Sequence, residues 1–274
     1  MHNFIVGTGE HVYKVEHPFG LLSSGLSWGN TSHVATDSSG NVYVYQRKDP
    51  PMLIFGGEGQ LLHSWGNNQL IDAHGLFMTS NDEIFVCDRD AHQVVQYDLK
   101  GNVLLKLGHR DQPAFQKPFN HPTDIAVSSD GEIFVSDGYA NSCIHHFSSN
   151  GRYIKTWGSW GSGQGQFITP HGIWVVDDRV YVCDRENNRV QIFDTNGIYI
   201  TEWTGFFHPM DIFIDRANVA FVTDQVPGMT ILDLEGKVIT RIRTPFNAHS
   251  IWVDIDGNMY SAGNEELVTK YIKL

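Results

Sequence analysis

The run Gly131-Glu-Ile-Phe-Val135 is one copy of a short marker that decides the fold of this chain. In each copy, a turn residue precedes β-branched and aromatic residues, which is typical of a short strand entered from a tight turn. Copies recur about every 40 to 49 residues, the spacing of propeller blades. The others are Gly40-Asn-Val-Tyr-Val44, Asp82-Glu-Ile-Phe-Val86, Asp178-Arg-Val-Tyr-Val182, Asn218-Val-Ala-Phe-Val222 and Gly257-Asn-Met-Tyr-Ser261.

Further strands flank each marker. One precedes it by about ten residues, as Ile125-Ala-Val127 does, and two follow it, as Gln93-Val-Val-Gln-Tyr97 and Val103-Leu-Leu-Lys-Leu107 do. Four short strands repeated six times predict an all-β fold, a six-bladed β-propeller in one domain over residues 1–274. The last copy lacks a fourth strand, which the N-terminal run His11-Val-Tyr-Lys-Val15 could supply, closing the ring.

Three histidines occupy one register of the repeat, in every second copy. They lie in Asp72-Ala-His-Gly-Leu76, Thr169-Pro-His-Gly-Ile173 and Asn247-Ala-His-Ser-Ile251. In a closed six-fold ring, alternate copies sit about 120° apart, so the three imidazoles would converge on the axis. The pattern predicts a metal site formed by His74, His171 and His249, with zinc as the first choice and another divalent transition metal as the alternative.

A second register contains arginines. Arg47, Arg89 and Arg185 each follow the marker's last valine by three residues, and the equivalent turn of the third copy carries Tyr139 beside Gly138. These turns are expected on the same face as the histidines. Three arginines in an acidic protein predict carboxylate recognition. The alternative, which applies to Arg89 more than to Arg47 and Arg185, is that these arginines are turn residues in blade-to-blade ion pairs.

Composition limits the partners. The formal net charge is -12, which argues against a nucleic acid or an anionic membrane as partner, because both need a basic surface. No stretch approaches the ~20 apolar residues of a membrane helix, so a cytoplasmic protein is expected. The three cysteines are interpreted as reduced and buried.

Histidines outside the ligand register receive an ordinary interpretation. His33 sits one residue away and is expected to point elsewhere. The rest are interpreted as surface or turn residues, namely His92, His121, His145, His146 and His208. The chain has no Gly-x-Ser-x-Gly elbow and no phosphate-binding loop, which disfavours serine hydrolases and nucleotide-binding proteins.

Two stretches carry a resemblance to a known family. They are Pro122-Thr-Asp-Ile-Ala-Val127 followed by Phe134-Val-Ser-Asp-Gly-Tyr-Ala-Asn-Ser142, and Pro170-His-Gly-Ile173 followed by Val182-Cys-Asp-Arg-Glu-Asn-Asn-Arg-Val-Gln-Ile-Phe193. The blade pattern is similar to NHL repeats, and these motifs resemble the peptidyl-α-hydroxyglycine α-amidating lyases. The similarity runs from about residue 28 to the C-terminus.

The resemblance implies an activity. Lyases of this family are six-bladed propellers that cleave an α-hydroxyglycine carbinolamide into an amide and glyoxylate. It implies that His74, His171 and His249 bind a catalytic zinc. It also implies that Tyr139 is the active-site tyrosine and that Arg47 and Arg185 are the catalytic, substrate-side arginines.

This chain departs from the family pattern at two positions. The family's structural calcium uses an aspartate after the last ligand histidine, and Ser250 stands there, so calcium through the Val34 and Leu76 carbonyls is doubtful. Arg89 replaces a residue that is usually apolar, which suggests a substrate with different or additional negative charge.

The expected function is therefore a zinc-dependent lyase. It would cleave a C–N bond at a hydroxylated carbon of a small anionic substrate, such as an α-hydroxyglycine or a ureidoglycolate-like compound, and release glyoxylate. Arg47, Arg89 and Arg185 would bind the substrate. Two alternatives stay open, a metal-dependent, lactonase-like hydrolase or hydratase and a non-catalytic NHL interaction module.

Overall fold

The computed structural model describes residues 4–263 and 267–274 as six antiparallel sheets around a central axis, as the repeat predicts. The N-terminal strands are β1 (Phe4–Thr8) and β2 (His11–Glu16). Blade one contains β3 (Thr31–Thr36), β4 (Val42–Gln46), β5 (Met52–Phe55) and β6 (Leu61–Trp65). Blade two contains β7 (Ala73–Met78), β8 (Ile84–Asp88), β9 (Gln93–Tyr97) and β10 (Val103–Gly108). Blade three contains β11 (Pro122–Val127), β12 (Ile133–Asp137), β13 (Cys143–Phe147) and β14 (Tyr153–Trp157).

The remaining blades follow the same order. A short parallel pair, β15 (Ser159–Trp160) and β16 (Gln166–Phe167), connects blades three and four. Blade four contains β17 (Pro170–Val176), β18 (Arg179–Asp184), β19 (Arg189–Asp194) and β20 (Tyr199–Thr204), with a 3₁₀ turn at Arg185–Asn187. Blade five contains β21 (Pro209–Ile214), β22 (Val219–Asp224), β23 (Met229–Asp233) and β24 (Val238–Ile242). Blade six contains β25 (Ser250–Val253), β26 (Met259–Ala262) and β27 (Val268–Lys273).

The first strand of each blade lines the axis, and each packs against the first strand of the next blade. The sheet faces of neighbouring blades cover one another, so the strand that carries the marker is buried on both faces, as β4 and β12 are. The outermost strands are more exposed, and in β6 only Trp65 is buried. The core therefore lies between blades, and the axial ends of the first strands are free to form a site.

Turns inside the blades follow from aspartates at their first position. Asp37 Oδ1 accepts hydrogen bonds from the backbone N–H of Ser39 at 3.0 Å and of Asn41 at 2.8 Å. Gly40 completes this turn with a φ of 78°, in the left-handed region that a residue with a side chain seldom adopts. The same Asp-to-backbone pattern recurs at Asp98 and Asp254.

The N-terminal segment closes the ring, as predicted. Strand β2 pairs antiparallel with β27 and becomes the fourth strand of blade six, with Val15 opposite Tyr271. Strand β1 adds a fifth strand, which the repeat pattern did not predict. Joining the two ends of the chain in one sheet covers the edge that β27 would otherwise expose.

The inner strands are irregular where the histidine register lies. In blades one to five, the pairing between the first and second strands shifts by one residue there, for example between Ala73 and Leu76 in blade two and between Pro122 and Asp124 in blade three. An extra residue in one strand redirects side chains and bends the strand. The irregularity lets two successive residues of each inner strand reach the channel.

The interpretation of the other histidines as surface or turn residues is wrong for two of them. His145 and His146 lie on β13 and are 0% and 5% exposed, whereas His92 lies in the turn before β9, as expected. His145 lies inside blade three because β13 is buried on both faces, and its Nε2 lies 3.1 Å from Asp137 Oδ2. A buried imidazole with such a partner satisfies its polar atoms locally.

Two other expectations concern cysteines and membrane spans. All three cysteines are free and buried, as the sequence indicated. Across residues 4–263 and 267–274, we find no helix with the length and apolar character needed to cross a lipid bilayer.

Closure by β2 is testable through Tyr13, a 1% exposed side chain on that strand. Tyr13→Ala is expected to lower the free energy of unfolding by about 3 kcal/mol, because a large buried ring is lost where the two chain ends meet. Lys14→Ala, on the more exposed face of the same strand, should change it by less than about 0.5 kcal/mol. Urea denaturation measures both, and equal effects would contradict a closing role for β2.

Candidate active site

Three imidazoles converge at one point of the channel. His74 lies on β7, His171 lies on β17 and His249 directly precedes β25. Their ring centres are 4.8–5.0 Å apart, and one nitrogen of each lies within 4.8 Å of the others. All three side chains are buried. The alternating register therefore brings together three ring nitrogens that could hold one metal ion.

The other nitrogen of each imidazole is held by the backbone of the next blade. Each Nδ1 lies within hydrogen-bond distance of the carbonyl oxygen of the residue at the same register one blade on. A carbonyl can only accept, so each Nδ1 carries a proton and each Nε2 keeps its lone pair for the channel. The pairs are His74 with Thr123 at 2.5 Å, His171 with Met210 at 2.6 Å and His249 with Ser32 at 2.8 Å.

Burial keeps these imidazoles neutral. It lowers the pKa of His74 and of His171 well below the ordinary value, and that of His249 to about 4. Nearby imidazoles and arginines act in the same direction, since each would repel an added positive charge. Neutral imidazole is the form that binds a metal, so at neutral pH no proton has to leave first.

Tyr139 lies beside two of the imidazoles. It follows β12 in the turn before β13. Its hydroxyl lies 3.0 Å from His74 Nε2 and 3.2 Å from His171 Nε2. The ring is 38% exposed, so this end of the channel is open to solvent while the nitrogens beneath it are buried.

The three predicted arginines surround this opening. The guanidinium carbons of Arg89 and Arg185 lie 5.2 and 5.7 Å from the ring centre of Tyr139, within reach of its π face. Arg47 Nε donates to the Ala73 carbonyl at 3.0 Å, directly before His74. All three arginines therefore belong to the mouth of the channel, on the face that the sequence indicated.

Asp72 joins two of the arginines. Its two carboxylate oxygens lie 3.2 Å from Arg47 Nε and 2.6 Å from Arg89 Nε. Burial raises the pKa of Asp72, while the two arginines act in the opposite direction. Within the described residues, Arg47 and Arg89 make their hydrogen bonds and ion pairs through Nε. The pairing thus orients both guanidinium groups and leaves donors for an anion.

Arg89 faces the opening, and its ion pairs with Asp72 and Asp90 lie within blade two, so among the described residues it does not form a blade-to-blade ion pair. Arg185 is held by Glu186, with Nη2 at 2.7 Å from Oε1. Sequence reasoning did not identify Asp72 or Glu186 as members of the site. Glu186 directly follows Arg185, and Asp72 precedes His74 by two residues. A single carboxylate in a turn has no sequence pattern that would identify it.

Comparison with known proteins supports the repeat assignment. The NHL repeat model matches residues 119–147 and 167–193, in blades three and four. A solved gluconolactonase from Xanthomonas campestris superposes with a TM-score of 0.73 over 95% of this chain and 89% of that one. Its sequence identity is 13%, so this likeness shows the fold alone.

Curated relatives carry the names of amidating enzymes. The peptidylglycine alpha-amidating monooxygenase of Rattus norvegicus is 36% identical over 203 residues, which is 61% of this chain and 21% of that protein. This chain thus spans only about a fifth of that relative. A probable peptidyl-alpha-hydroxyglycine alpha-amidating lyase of Caenorhabditis elegans is 27% identical over 285 residues, covering 88% of this chain and 81% of the relative. Together with the repeats and the fold, these matches identify the chain as an NHL-repeat propeller that resembles the peptidyl-α-hydroxyglycine α-amidating lyases.

Proposed function

We propose that this protein is a zinc-dependent lyase that cleaves a C–N bond at a hydroxylated carbon next to a carboxylate. The observation that carries the proposal is the Tyr139 hydroxyl beside two of three converging, neutral imidazoles, with arginines over the same ring. His74, His171 and His249 fit zinc, because three buried imidazoles offer one lone pair each and leave a position open. When bound, zinc supplies Lewis acidity that favours loss of a proton from the substrate hydroxyl.

The arginines select and orient the substrate. Arg47 and Arg185 clamp the carboxylate and carbonyl oxygens through charge-assisted hydrogen bonds. Asp72 and Glu186 hold the guanidinium groups in place before the substrate arrives, so the arginine side chains lose little conformational entropy on binding. A small anion such as an α-hydroxyglycine or a ureidoglycolate-like compound matches this set of donors.

Tyr139 moves the proton. Acting as a phenolate or general base, it accepts the proton of the substrate hydroxyl. The oxygen then forms the new C=O bond, the C–N bond breaks, and its electron pair stays on nitrogen. Nitrogen takes up one proton, so the proton lost by the hydroxyl equals the proton gained by the leaving amide or amine. The products are glyoxylate and an amide or amine, and no co-reactant is needed.

Metal binding is the first test. His171→Ala should lose one bound zinc equivalent per chain relative to the wild type and weaken that site by more than about 100-fold, since a ligand removal costs at least as much as a change to a ligand's supporting group. Metal analysis after desalting measures it. His63→Ala, an exposed histidine of β6, is the control and should bind zinc like the wild type. Equal zinc content in His171→Ala and the wild type would contradict the assignment.

The reaction is the second test. Purified protein is expected to release glyoxylate from an N-acyl-α-hydroxyglycine or from ureidoglycolate. Tyr139→Phe should lower kcat by about 10²–10⁴-fold, because the proton acceptor is lost while the arginines still bind substrate. Tyr153→Phe, on an outer strand and 50% exposed, is the matched control. A Tyr139→Phe enzyme with unchanged kcat would remove the tyrosine from the mechanism.

The third test concerns the extra cation. Arg89→Met should lower kcat/KM by about tenfold for a substrate with a second carboxylate, the loss of one charge-assisted hydrogen bond. For a monocarboxylate the change should be small. Arg152→Met is the control, because Arg152 is exposed and directly precedes β14, the outermost strand of blade three. Equal losses on both substrates would argue that Arg89 only supports Asp72.

A metal-dependent lactone hydrolase is the second candidate, favoured by the fold likeness to a gluconolactonase. The same three imidazoles would then activate a water. Lactones and carbinolamides assayed side by side separate the candidates, since only the lyase produces glyoxylate. Failure of both assays, with partner binding that a chelator leaves unchanged, would favour an NHL interaction module.

A further inference from the structure

A second triangle of polar side chains lies in the same channel, one residue further along the inner strands. His33, Asp124 and Asp211 lie on β3, β11 and β21, the first strands of blades one, three and five. They are 6%, 5% and 4% exposed, and one donor atom of each lies within 4.8 Å of the others. The three ligand histidines occupy blades two, four and six, so the two triangles interleave around one axis.

His33 therefore does not join the three ligand histidines, as expected, but it also lines the channel. Its Nε2 lies 3.4 Å from Asp211 Oδ2 and 3.7 Å from Asp124 Oδ1. These separations exceed those of a direct hydrogen bond to a charged partner. The three donor atoms therefore lie close together but form no short, direct hydrogen bond with one another.

A backbone N–H of the next blade holds each carboxylate in place. Asp124 Oδ2 accepts the backbone N–H of Ile173 at 3.0 Å, and Asp211 Oδ2 accepts that of Ile251 at 2.8 Å. These bonds link blade three to four and blade five to six. The second oxygen of Asp124, Oδ1, is buried and has no hydrogen-bond partner among the described residues. Such an atom costs free energy unless something binds it.

The even-numbered blades leave room for this triangle. At the same register they carry Gly75, Gly172 and Ser250. A Cβ on Gly75 would lie 2.6 Å from Asp124 Oδ1, and one on Gly172 would lie 2.8 Å from Asp211 Oδ1. Ser250 is fully buried, and its Oγ also lacks a hydrogen-bond partner in the described part of the chain. The small residues are therefore matched to the side chains of the odd blades.

The triangle has no cationic side chain beside it in the described residues. No lysine or arginine among the described residues forms an ion pair with Asp124 or Asp211. Burial lowers the pKa of His33 to about 3, so the imidazole stays neutral and does not compensate them. Burial also raises the pKa of both carboxyl groups, that of Asp211 to about 7, so a proton is favoured there when no cation is bound. A divalent cation would displace that proton and balance the charge of both carboxylates.

We propose that His33, Asp124 and Asp211 form a second metal site, which binds a divalent transition cation and links blades one, three and five. One imidazole and two carboxylates suit Zn²⁺, Mn²⁺ or Fe²⁺ better than Ca²⁺, which prefers oxygen ligands alone. The ligands of this site are side chains of blades one, three and five, whereas the resemblance implies a calcium held by backbone carbonyls and by an aspartate at the position of Ser250. Its role is to hold the inner strands together, and it stands independently of the proposed lyase reaction.

The test counts metal in the 274-residue protein. Chelator-treated protein is incubated with Zn²⁺, desalted, and analysed for metal per chain. The wild type should retain two equivalents, while Asp211→Asn, His33→Ala and His171→Ala should each retain one. Asp211→Asn preserves an acceptor for Ile251, and Asp224→Asn on β22, outside the channel, is the matched control that should retain two. The double variant with His171→Ala and Asp211→Asn should retain no zinc.

Thermal unfolding supplies a readout that does not depend on activity. In the His171→Ala background, Zn²⁺ should raise Tm, and adding Asp211→Asn should abolish that rise. A wild type that holds a single equivalent, lost in His171→Ala, would overturn the second site and leave the first intact. So would an Asp211→Asn variant as stable as the wild type or more so, because the carboxylates would then share a proton instead of a cation.

Discussion

Hydrogen bonds between consecutive blades at the axis are the constraint on which the site depends. Each ligand imidazole donates through Nδ1 to a backbone carbonyl of the next blade, at 2.5, 2.6 and 2.8 Å. These bonds require the inner strands to be neighbours in a closed ring, and they direct every Nε2 toward the axis. Ring closure by β2 is therefore part of the site as well as of the fold.

The channel uses two successive registers for two different sets of groups. Shifts in strand pairing let residues 74 and 75 of blade two, and 123 and 124 of blade three, both approach the axis. Even blades place histidine and then a small residue, whereas odd blades place a small or apolar residue and then His33, Asp124 or Asp211. Asp124 and Asp211 fill the space left by Gly75 and Gly172, so a side chain at either glycine would displace an aspartate.

The fold and the three converging histidines could be predicted from the sequence, because repeats that close into a ring place equivalent residues symmetrically around its axis. The markers predict the number of blades, and the alternation of His74, His171 and His249 predicts that they converge on the axis. The second triangle escaped because its members differ in residue type, and Asp124 resembles an ordinary aspartate after a turn. His145 was misplaced because its strand is buried on both faces, which a local pattern of polar residues does not indicate.

The sequence by itself determined the all-β repeat, the closing strand and the register that carries three histidines, because these depend on local periodicity and on counting. Only the tertiary structure decided that Asp72 pairs with both Arg47 and Arg89, that Tyr139 lies against two imidazoles, and that His33 faces two aspartates. Apart from the pair of Asp72 and Arg89, which lies within blade two, these are contacts between blades, and their distances depend on how the ring closes and where each inner strand shifts its pairing. Neither is encoded in any single repeat.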